Sequence, residues 1–109
     1  MTGGGRPLFF LPPASDDAAR AAAWYQRQAP GLGRAFLAEL DQQARRIGHF
    51  PDSYPQVTGA TPACRRANLP RFPYTVVYRA LPSRVEVVAV LHCHADPAAL
   101  SARADAPPE

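Results

Sequence analysis

Residues 72–91, FPYTVVYRALPSRVEVVAVL, contain the two segments that decide the fold of this chain. In the first half, every second residue is an aromatic residue or a valine, and a period of two is typical of a β-strand. The second half is apolar at nearly every position, which is typical of a strand covered on both faces. We therefore predict strands over residues 72–80 and 84–91, joined by a turn at residues 81–83, with the second strand central in a sheet that helices cover on one side.

Two helices and a further strand are predicted before this pair. Residues 7–11, PLFFL, predict a short strand buried on both faces. A helix is expected over about 16–28, with Ser15 as its N-cap and Asp16 and Asp17 in its first turn. After the turn at residues 29–31, a second helix carries an apolar face at helical spacing and ends at Gly48. The members of that face are Leu32, Phe36, Leu40, Ala44 and Ile47.

The remaining segments complete the predicted architecture. Residues 51–62 indicate a loop, residues 64–69 a third antiparallel strand, and Asp96-Pro97 the start of a short C-terminal helix. The order is β-α-α-β-β-β, an α+β domain with a helical hairpin packed on a small, mostly antiparallel sheet. We expect residues 1–6 to be flexible, residues 7–103 to form the domain, and residues 104–109 to be a disordered tail.

Composition limits the class of protein. The 109 residues are 47% hydrophobic, enough for one domain with a modest core. The apolar run Leu8 to Leu11 is too short for a signal peptide or a membrane span, so we expect a cytoplasmic protein that is not bound to a membrane. In that compartment Cys64 and Cys93 are expected to be reduced.

Charge indicates an acidic partner. The net charge is +3, and residues 63–103 carry six arginines against two acids. Such an excess suits nucleic acid or an acidic protein segment, and a solvated arginine-rich surface is the alternative interpretation. All twelve cations are arginine, which removes lysine from any catalytic scheme.

The stretch VLHCHADP, residues 90–97, raises the question of a metal site or a nucleophile. Uninterrupted alternation would put His92 and His94 on one face of the strand and Cys93 on the other, which separates the thiol from both imidazoles. Two histidines without a third ligand do not make a zinc site, and Cys64 would lie roughly 10 Å from Cys93, too far for a disulfide. We predict no metal and no cofactor.

Three motifs in order resemble the RelE/ParE superfamily of bacterial type II toxin-antitoxin toxins. They are WYQRQAPGLGRAFLAEL (24–40), RRANLPRFPYTVVYR (65–79) and VVAVLHCHADP (87–97). The resemblance implies a growth-inhibiting toxin that forms a hetero-oligomer with a cognate antitoxin. The basic C-terminal half favours an antitoxin with an acidic C-terminal segment. Related toxins often read His-Gly-Arg-Arg-Asp-Pro at the third motif, so His92 and Asp96 match whereas two arginines are replaced.

The superfamily has two kinds of target. RelE-like members cut messenger RNA on the ribosome, and ParE-like members poison DNA gyrase without known hydrolytic chemistry. RelE-like nucleases typically carry lysine on the sheet and a tyrosine near the C-terminus, and this chain has neither, since no tyrosine follows Tyr78. The sequence therefore favours a ParE-like toxin, directed at gyrase or at an unassigned target. A RelE-like endoribonuclease is the alternative, and an inactive homologue or a small basic binding module is a further one.

Candidate site residues follow from the chemistry of each reading. Metal-free RNA cleavage needs a base, an acid, and a cation that stabilises phosphate charge. The catalytic candidates are Arg65, Arg71, Arg79, His92 and Tyr78. The candidates for binding the target or the antitoxin are Arg65, Arg66, Arg71, Arg79, Tyr74, His92 and Asp96. Core or cross-strand packing is the favoured explanation for at least half of the strand aromatics Phe72, Tyr74 and Tyr78. Arginines that flank an edge strand also discourage edge pairing, even if they bind nothing.

Overall fold

The computed structural model describes residues 5–59 and 63–93, which form two helices and a four-stranded sheet. The elements are β1 (Leu8–Phe10), α1 (Pro12–Gln28), α2 (Leu32–His49), β2 (Arg65–Asn68), β3 (Tyr74–Ala80) and β4 (Val85–His92). The predicted α+β order is confirmed. The predicted C-terminal helix at Asp96 lies outside the described residues. Within those residues, neither helix is long and apolar enough to cross a membrane.

The strands lie in the order β1-β4-β3-β2. The turn at residues 81–83 joins β3 to β4 as an antiparallel pair, and the Leu81 N–H donates to the Arg84 carbonyl at 2.8 Å. β2 is antiparallel to β3, whereas β1 is parallel to β4. A parallel pair needs a long connection, which the intervening elements supply. The apolar β4 is central, as its composition predicts.

The start of α1 differs from the prediction. The helix begins at Pro12, and Leu11 is the extended N-cap residue, whose carbonyl accepts the N–H groups of Ala14 and Ser15. Two prolines fit the first turn because helix N–H groups there have no intrahelical acceptor. Ser15 therefore lies inside the helix and does not cap it.

Two other local predictions are corrected by the structure. β1 is not buried on both faces, because Phe9 is 54% exposed on the face opposite Leu8 and Phe10. Gly48 does not end α2, which continues to His49. Instead Gly48 permits a close approach, since a Cβ there would lie 3.2 Å from the Arg6 carbonyl oxygen.

The main core fills the space between the helical hairpin and one face of the sheet. Phe36, Leu40 and Ile47 from the predicted apolar face of α2 are buried there, together with Ala14, Ala18, Ala21, Ala22 and Tyr25 of α1. Phe36, Ile47 and Tyr78 are its largest fully buried side chains. The helices meet closely at Gly33, where a Cβ would lie 2.5 Å from the Ala22 carbonyl oxygen. A smaller cluster, which includes Cys64, covers part of the opposite sheet face.

A β-bulge in β4 breaks the predicted alternation. Val77 pairs with Ala89 but Tyr78 pairs with Val87, so Val88 is an extra residue in β4. An extra residue reverses the side-chain alternation beyond it.

The consequence is a change of face for the end of β4. Val90 joins the main core under the helices, whereas Ala89 and Leu91 join the cluster on the opposite face. Uninterrupted alternation along residues 84–91 would have put Ala89 and Leu91 on the same face as Val85 and Val87, and the bulge overturns that expectation. His92, two residues after Val90, lies on the helical side of the sheet.

Candidate functional site

A cleft of about 760 Å³ opens between α1 and the end of the sheet where β3 begins and β4 ends. We call it the α1–β4 cleft. Its polar and aromatic lining residues in the described part of the chain are Asp17, Arg20, Trp24, Tyr25, Arg27, Tyr74 and His92. The cleft therefore combines cationic groups with exposed ring surface.

α1 supplies one wall of the cleft. Asp17, Arg20, Trp24 and Arg27 follow each other at intervals of three and four residues, which places them along one side of a helix. The neighbouring side of α1, which includes Ala18 and other small residues, packs into the main core. The core face of the helix thus fixes the direction in which this polar stripe projects.

Asp17 fastens this wall to the sheet. One carboxylate oxygen accepts the N–H of Val90 at 3.0 Å, and the other accepts a hydrogen bond from Arg20 at 2.8 Å. β1 pairs only with the first part of β4, so the side chain of Asp17 serves as an acceptor where no β1 carbonyl is available. The carboxylate is buried, and it does not act in the first turn of α1 as the sequence suggested.

Aromatic rings form the floor of the cleft. The Tyr25 ring contacts those of Trp24, Phe72 and Tyr74, with centroids 5.1, 4.9 and 6.1 Å away. Burial, and secondarily Tyr74, raises the pKa of Tyr25, so this hydroxyl stays protonated at neutral pH. Tyr25 joins the helical hairpin to these residues of the sheet side through its ring contacts, whereas Trp24 is 49% exposed.

The structure brings together two of the predicted site residues, Tyr74 and His92. They are cross-strand partners on β3 and β4, and their ring centroids are 5.3 Å apart. His92 is exposed and Tyr74 is half-buried, so both rings reach the surface at the mouth of the cleft.

Three predicted arginines lie elsewhere. Arg65 and Arg66 are on β2, an edge of the described sheet, where Arg65 donates to the Tyr54 carbonyl at 2.6 Å. Arg71 lies between β2 and β3, and both its backbone N–H and its guanidinium donate to Glu39 at 2.7 Å. Arg65 and Arg66 pair with Tyr78 and Val77, farther along β3 than Tyr74, and Arg71 is held by Glu39 in the loop three residues before Tyr74.

The Arg71 contact sets the ionisation of Glu39. Burial by itself raises the pKa of this carboxyl, but the hydrogen bonds and the charge of Arg71, with a hydrogen bond from the Phe72 backbone, outweigh it. The pKa of Glu39 therefore lies below its ordinary value of 4.5. Glu39 is ionised at neutral pH and holds α2 to the loop before β3.

Two predicted candidates, Tyr78 and Arg79, face the interior. The Tyr78 hydroxyl is fully buried and donates to the Pro51 carbonyl at 2.6 Å, and burial raises the pKa of Tyr78 far above its ordinary value. Arg79 is 5% exposed and contacts Glu86 at 3.2 Å. Neither side chain is placed to contact a substrate or a partner, so both serve the fold.

The remaining site predictions concern Asp96, a metal site and the two cysteines. Asp96 lies outside the described residues. In residues 5–59 and 63–93, no group of three His, Cys, Asp or Glu side chains is arranged to hold a metal ion. Cys64 is buried and Cys93 is exposed, and no disulfide joins them.

Sequence reasoning missed Asp17, Arg20 and Arg27 as site residues. Their spacing along α1 could have indicated them. The alanine face of α1 packs on the sheet, so polar residues on the neighbouring side of the helix must lie at the border of the sheet. That spacing could not show that Asp17 reaches Val90, which depends on how the helix sits on β4.

Comparison with known proteins places this fold. The sequence model described as "ParE toxin of type II toxin-antitoxin system, parDE" matches residues 8–97. The chain belongs to the ParE toxin family. This ParE toxin is similar in structure to a chain of the "Chromosomal ParDE TA system from P. aeruginosa", with a TM-score of 0.72 at 13% identity. The likeness covers 82% of this chain and 97% of that chain, and it shows a shared fold. Among functionally curated proteins, no sequence relative was found.

Family membership confirms the resemblance on which the sequence interpretation rests. The protein is a toxin of the type II toxin-antitoxin class. The α1–β4 cleft includes Trp24 from the first motif and His92 from the third, so residues far apart in the sequence meet in one place.

Proposed function

We propose that this ParE toxin arrests growth by binding its target without hydrolytic chemistry, and that DNA gyrase is that target. We further propose that an antitoxin with an acidic C-terminal segment silences it in a toxin-antitoxin hetero-oligomer, in the cytoplasm. The observation that supports action without hydrolysis is that the predicted catalytic residues do not lie together in the described structure.

Metal-free RNA cleavage needs a proton acceptor, a proton donor and a cation within hydrogen-bond reach of one phosphate. Tyr78 and Arg79 are interior, and Arg65 is bound to the Tyr54 carbonyl. Arg71 is bound to Glu39 and is not among the described residues that line the cleft. The candidates thus do not converge, whereas a protein that acts by binding needs only a complementary surface. This difference supports the ParE-like reading.

The α1–β4 cleft supports the antitoxin proposal. Arg20 and Arg27 border it, and Asp17, the carboxylate among its described lining residues, is buried and already bonded. An acidic segment with apolar side chains would place its charges near these cations and its apolar groups on the rings of Trp24 and Tyr74. Charge complementarity of this kind accelerates association and fixes orientation.

A RelE-like endoribonuclease is the second candidate function. The Tyr74–His92 pair favours it, because a histidine can transfer protons and a tyrosine ring can stack on a base. Arg20 and Arg27, in the same cleft, could contact phosphate.

Induction of the chain without antitoxin separates these functions. Gyrase supercoiling activity and transcript integrity are measured before growth stops. Blocked or cleaved gyrase complexes with intact transcripts are the expected result. Early site-specific transcript cleavage with normal supercoiling would reject the gyrase proposal, and growth without any defect would indicate an inactive homologue or a basic binding module.

A matched pair of variants tests the nuclease directly. If the cleft cuts RNA, His92→Gln abolishes cleavage whereas His49→Gln, a change at another exposed histidine, does not. For the gyrase-directed toxin, no RNA cleavage is expected in either variant.

A further inference from the structure

The outer edge of β1 is unpaired in the described structure. The Val85 N–H donates to the Pro7 carbonyl and the Leu11 N–H bonds to β4 as well, so odd-numbered residues turn their backbone groups toward β4. Leu8 and Phe10 therefore turn their N–H and C=O groups away from β4. No strand within residues 5–59 and 63–93 occupies that side.

The two edges of the sheet differ in charge. β2 carries Arg65 and Arg66, and charged side chains on an edge strand discourage pairing with another chain. β1 reads LFF and carries no charge, and Phe9 exposes 54% of its surface on the sheet face opposite the helices. An uncharged aromatic edge is the kind that accepts a further strand.

An apolar groove runs beside this edge, between β1 and the helices. It consists of two adjoining hollows of about 560 and 330 Å³, which share Phe10 and Asp41. Leu37, which is 44% exposed, lies in the second hollow. This groove and the β1 edge together form the β1 surface.

Charge indicates what covers the β1 surface. Its flanking residues include both signs, Arg6 with Asp52 and Arg45 with Asp41, each already in an ion pair. A balanced patch offers little to a strongly acidic segment, unlike the α1–β4 cleft. It suits an identical patch, because an isologous contact must be complementary to itself.

We propose that two copies of this chain pair through their β1 edges, antiparallel about a two-fold axis at Phe9. Leu8 then lies opposite the second copy's Phe10, and each of these two pairs exchanges two backbone hydrogen bonds. The two Phe9 rings meet on the sheet face away from the helices. On the other face, Leu8 and Phe10 of each copy lie against the groove of the β1 surface.

The flanking sequence fixes this register. The Arg6 N–H is already bonded to the Gly48 carbonyl of α2, so the free edge starts at Leu8. Pro12 has no N–H, so the ladder ends after Phe10. If the register of the two β1 strands shifted by one residue, the second copy would lie opposite residues whose N–H and C=O groups already point toward β4.

Sedimentation of the full-length chain tests the proposal. The expected mass is about twice 11.8 kDa, falling to the single-chain mass on dilution. Phe9→Lys puts two like charges at the axis and is expected to leave single chains. Trp24→Lys, a change at an aromatic residue of similar exposure away from β1, is expected to keep the pair. If circular dichroism shows that Phe9→Lys does not fold, Leu37→Lys in the groove takes its place.

Hydrogen exchange identifies the surface. Dilution is expected to accelerate amide exchange at Leu8 and Phe10 and to leave the interior of β4 unchanged. Single chains at every concentration, or pairing that Phe9→Lys does not weaken, would overturn the proposal. Protection of Leu8 and Phe10 that arises only when antitoxin is added would assign the edge to the antitoxin and overturn it as well.

Discussion

Asp17 is a single residue that joins two elements, because its buried carboxylate accepts hydrogen bonds from β4 and from Arg20. Its neighbour Asp16 is exposed on the same helix. The two residues have the same chemistry, and only their positions on α1 give them different roles.

Asp17→Asn is expected to lower the free energy of unfolding by about 1–3 kcal/mol, since a charged acceptor in a buried position is replaced by a neutral amide. Urea denaturation measures the change. Asp16→Asn serves as the control and is expected to stay within about 0.5 kcal/mol of the parent protein. Equal effects of the two substitutions would contradict the role given to Asp17.

Glu39 makes stability depend on pH. Its pKa in the folded protein lies below 4.5, so the contribution of the Glu39–Arg71 contact is complete above that value and is lost as the pH falls through the folded pKa. Relative to Glu39→Gln, the parent protein is expected to have an advantage in unfolding free energy at neutral pH that shrinks below pH 4.5. Denaturation curves over this range measure it, and a constant difference would refute the assignment.

At the scale of elements, the turn between α1 and α2 explains the glycines of the first motif. Gly31 has a φ of 87°, a left-handed conformation that favours glycine, and Gly33 lies against the Ala22 carbonyl. The side-chain oxygen of Gln26 accepts the N–H groups of both glycines, at 3.0 and 3.3 Å. The GLG sequence therefore reflects one turn conformation and one close helix approach.

Gly33→Ala tests that close approach. In an open helix, alanine stabilises by up to about 1 kcal/mol relative to glycine, but here its Cβ would lie 2.5 Å from the Ala22 oxygen. We expect lower stability in thermal denaturation, because the helices must separate. Ala38→Gly, an exposed change in the same helix, gives the ordinary propensity effect for comparison. A more stable Gly33→Ala protein would show that the contact tolerates a methyl group.

At the scale of the whole molecule, the α1–β4 cleft and the β1 surface lie on different parts of the protein. The first is cationic and aromatic, whereas the second is apolar with balanced charge. Under the proposals above, an acidic antitoxin segment and a second toxin copy could therefore bind at the same time.

Arg27→Gln is expected to lower the rate of association with the antitoxin by about tenfold or less at low salt. The rate should also depend less on salt concentration, because charges at the rim of a binding site act mainly on the association rate. Arg34→Gln removes the same charge from an exposed position outside the cleft and is expected to have a smaller effect. Stopped-flow mixing at two ionic strengths measures both rates. Equal losses in the two variants would mean that net charge, not the cleft, attracts the antitoxin.

The sequence by itself determined the order of elements, the buried helix faces and the central position of β4. These features depend on local periodicity and on turn residues, which are readable within a short window. The same local signal misplaced the start of α1, because Pro12 and Pro13 are compatible with a first helical turn as well as with a break.

Only the tertiary structure decided which side chains form the site. The bulge at Val88 turns His92 to the helical side of the sheet, and strand register brings Tyr74 beside it. Packing buries Tyr78 and Arg79, two candidates that the pattern could not distinguish from exposed ones. Side-chain contacts between distant segments depend on register and on helix placement, and neither is encoded in the spacing of residues along one strand or helix.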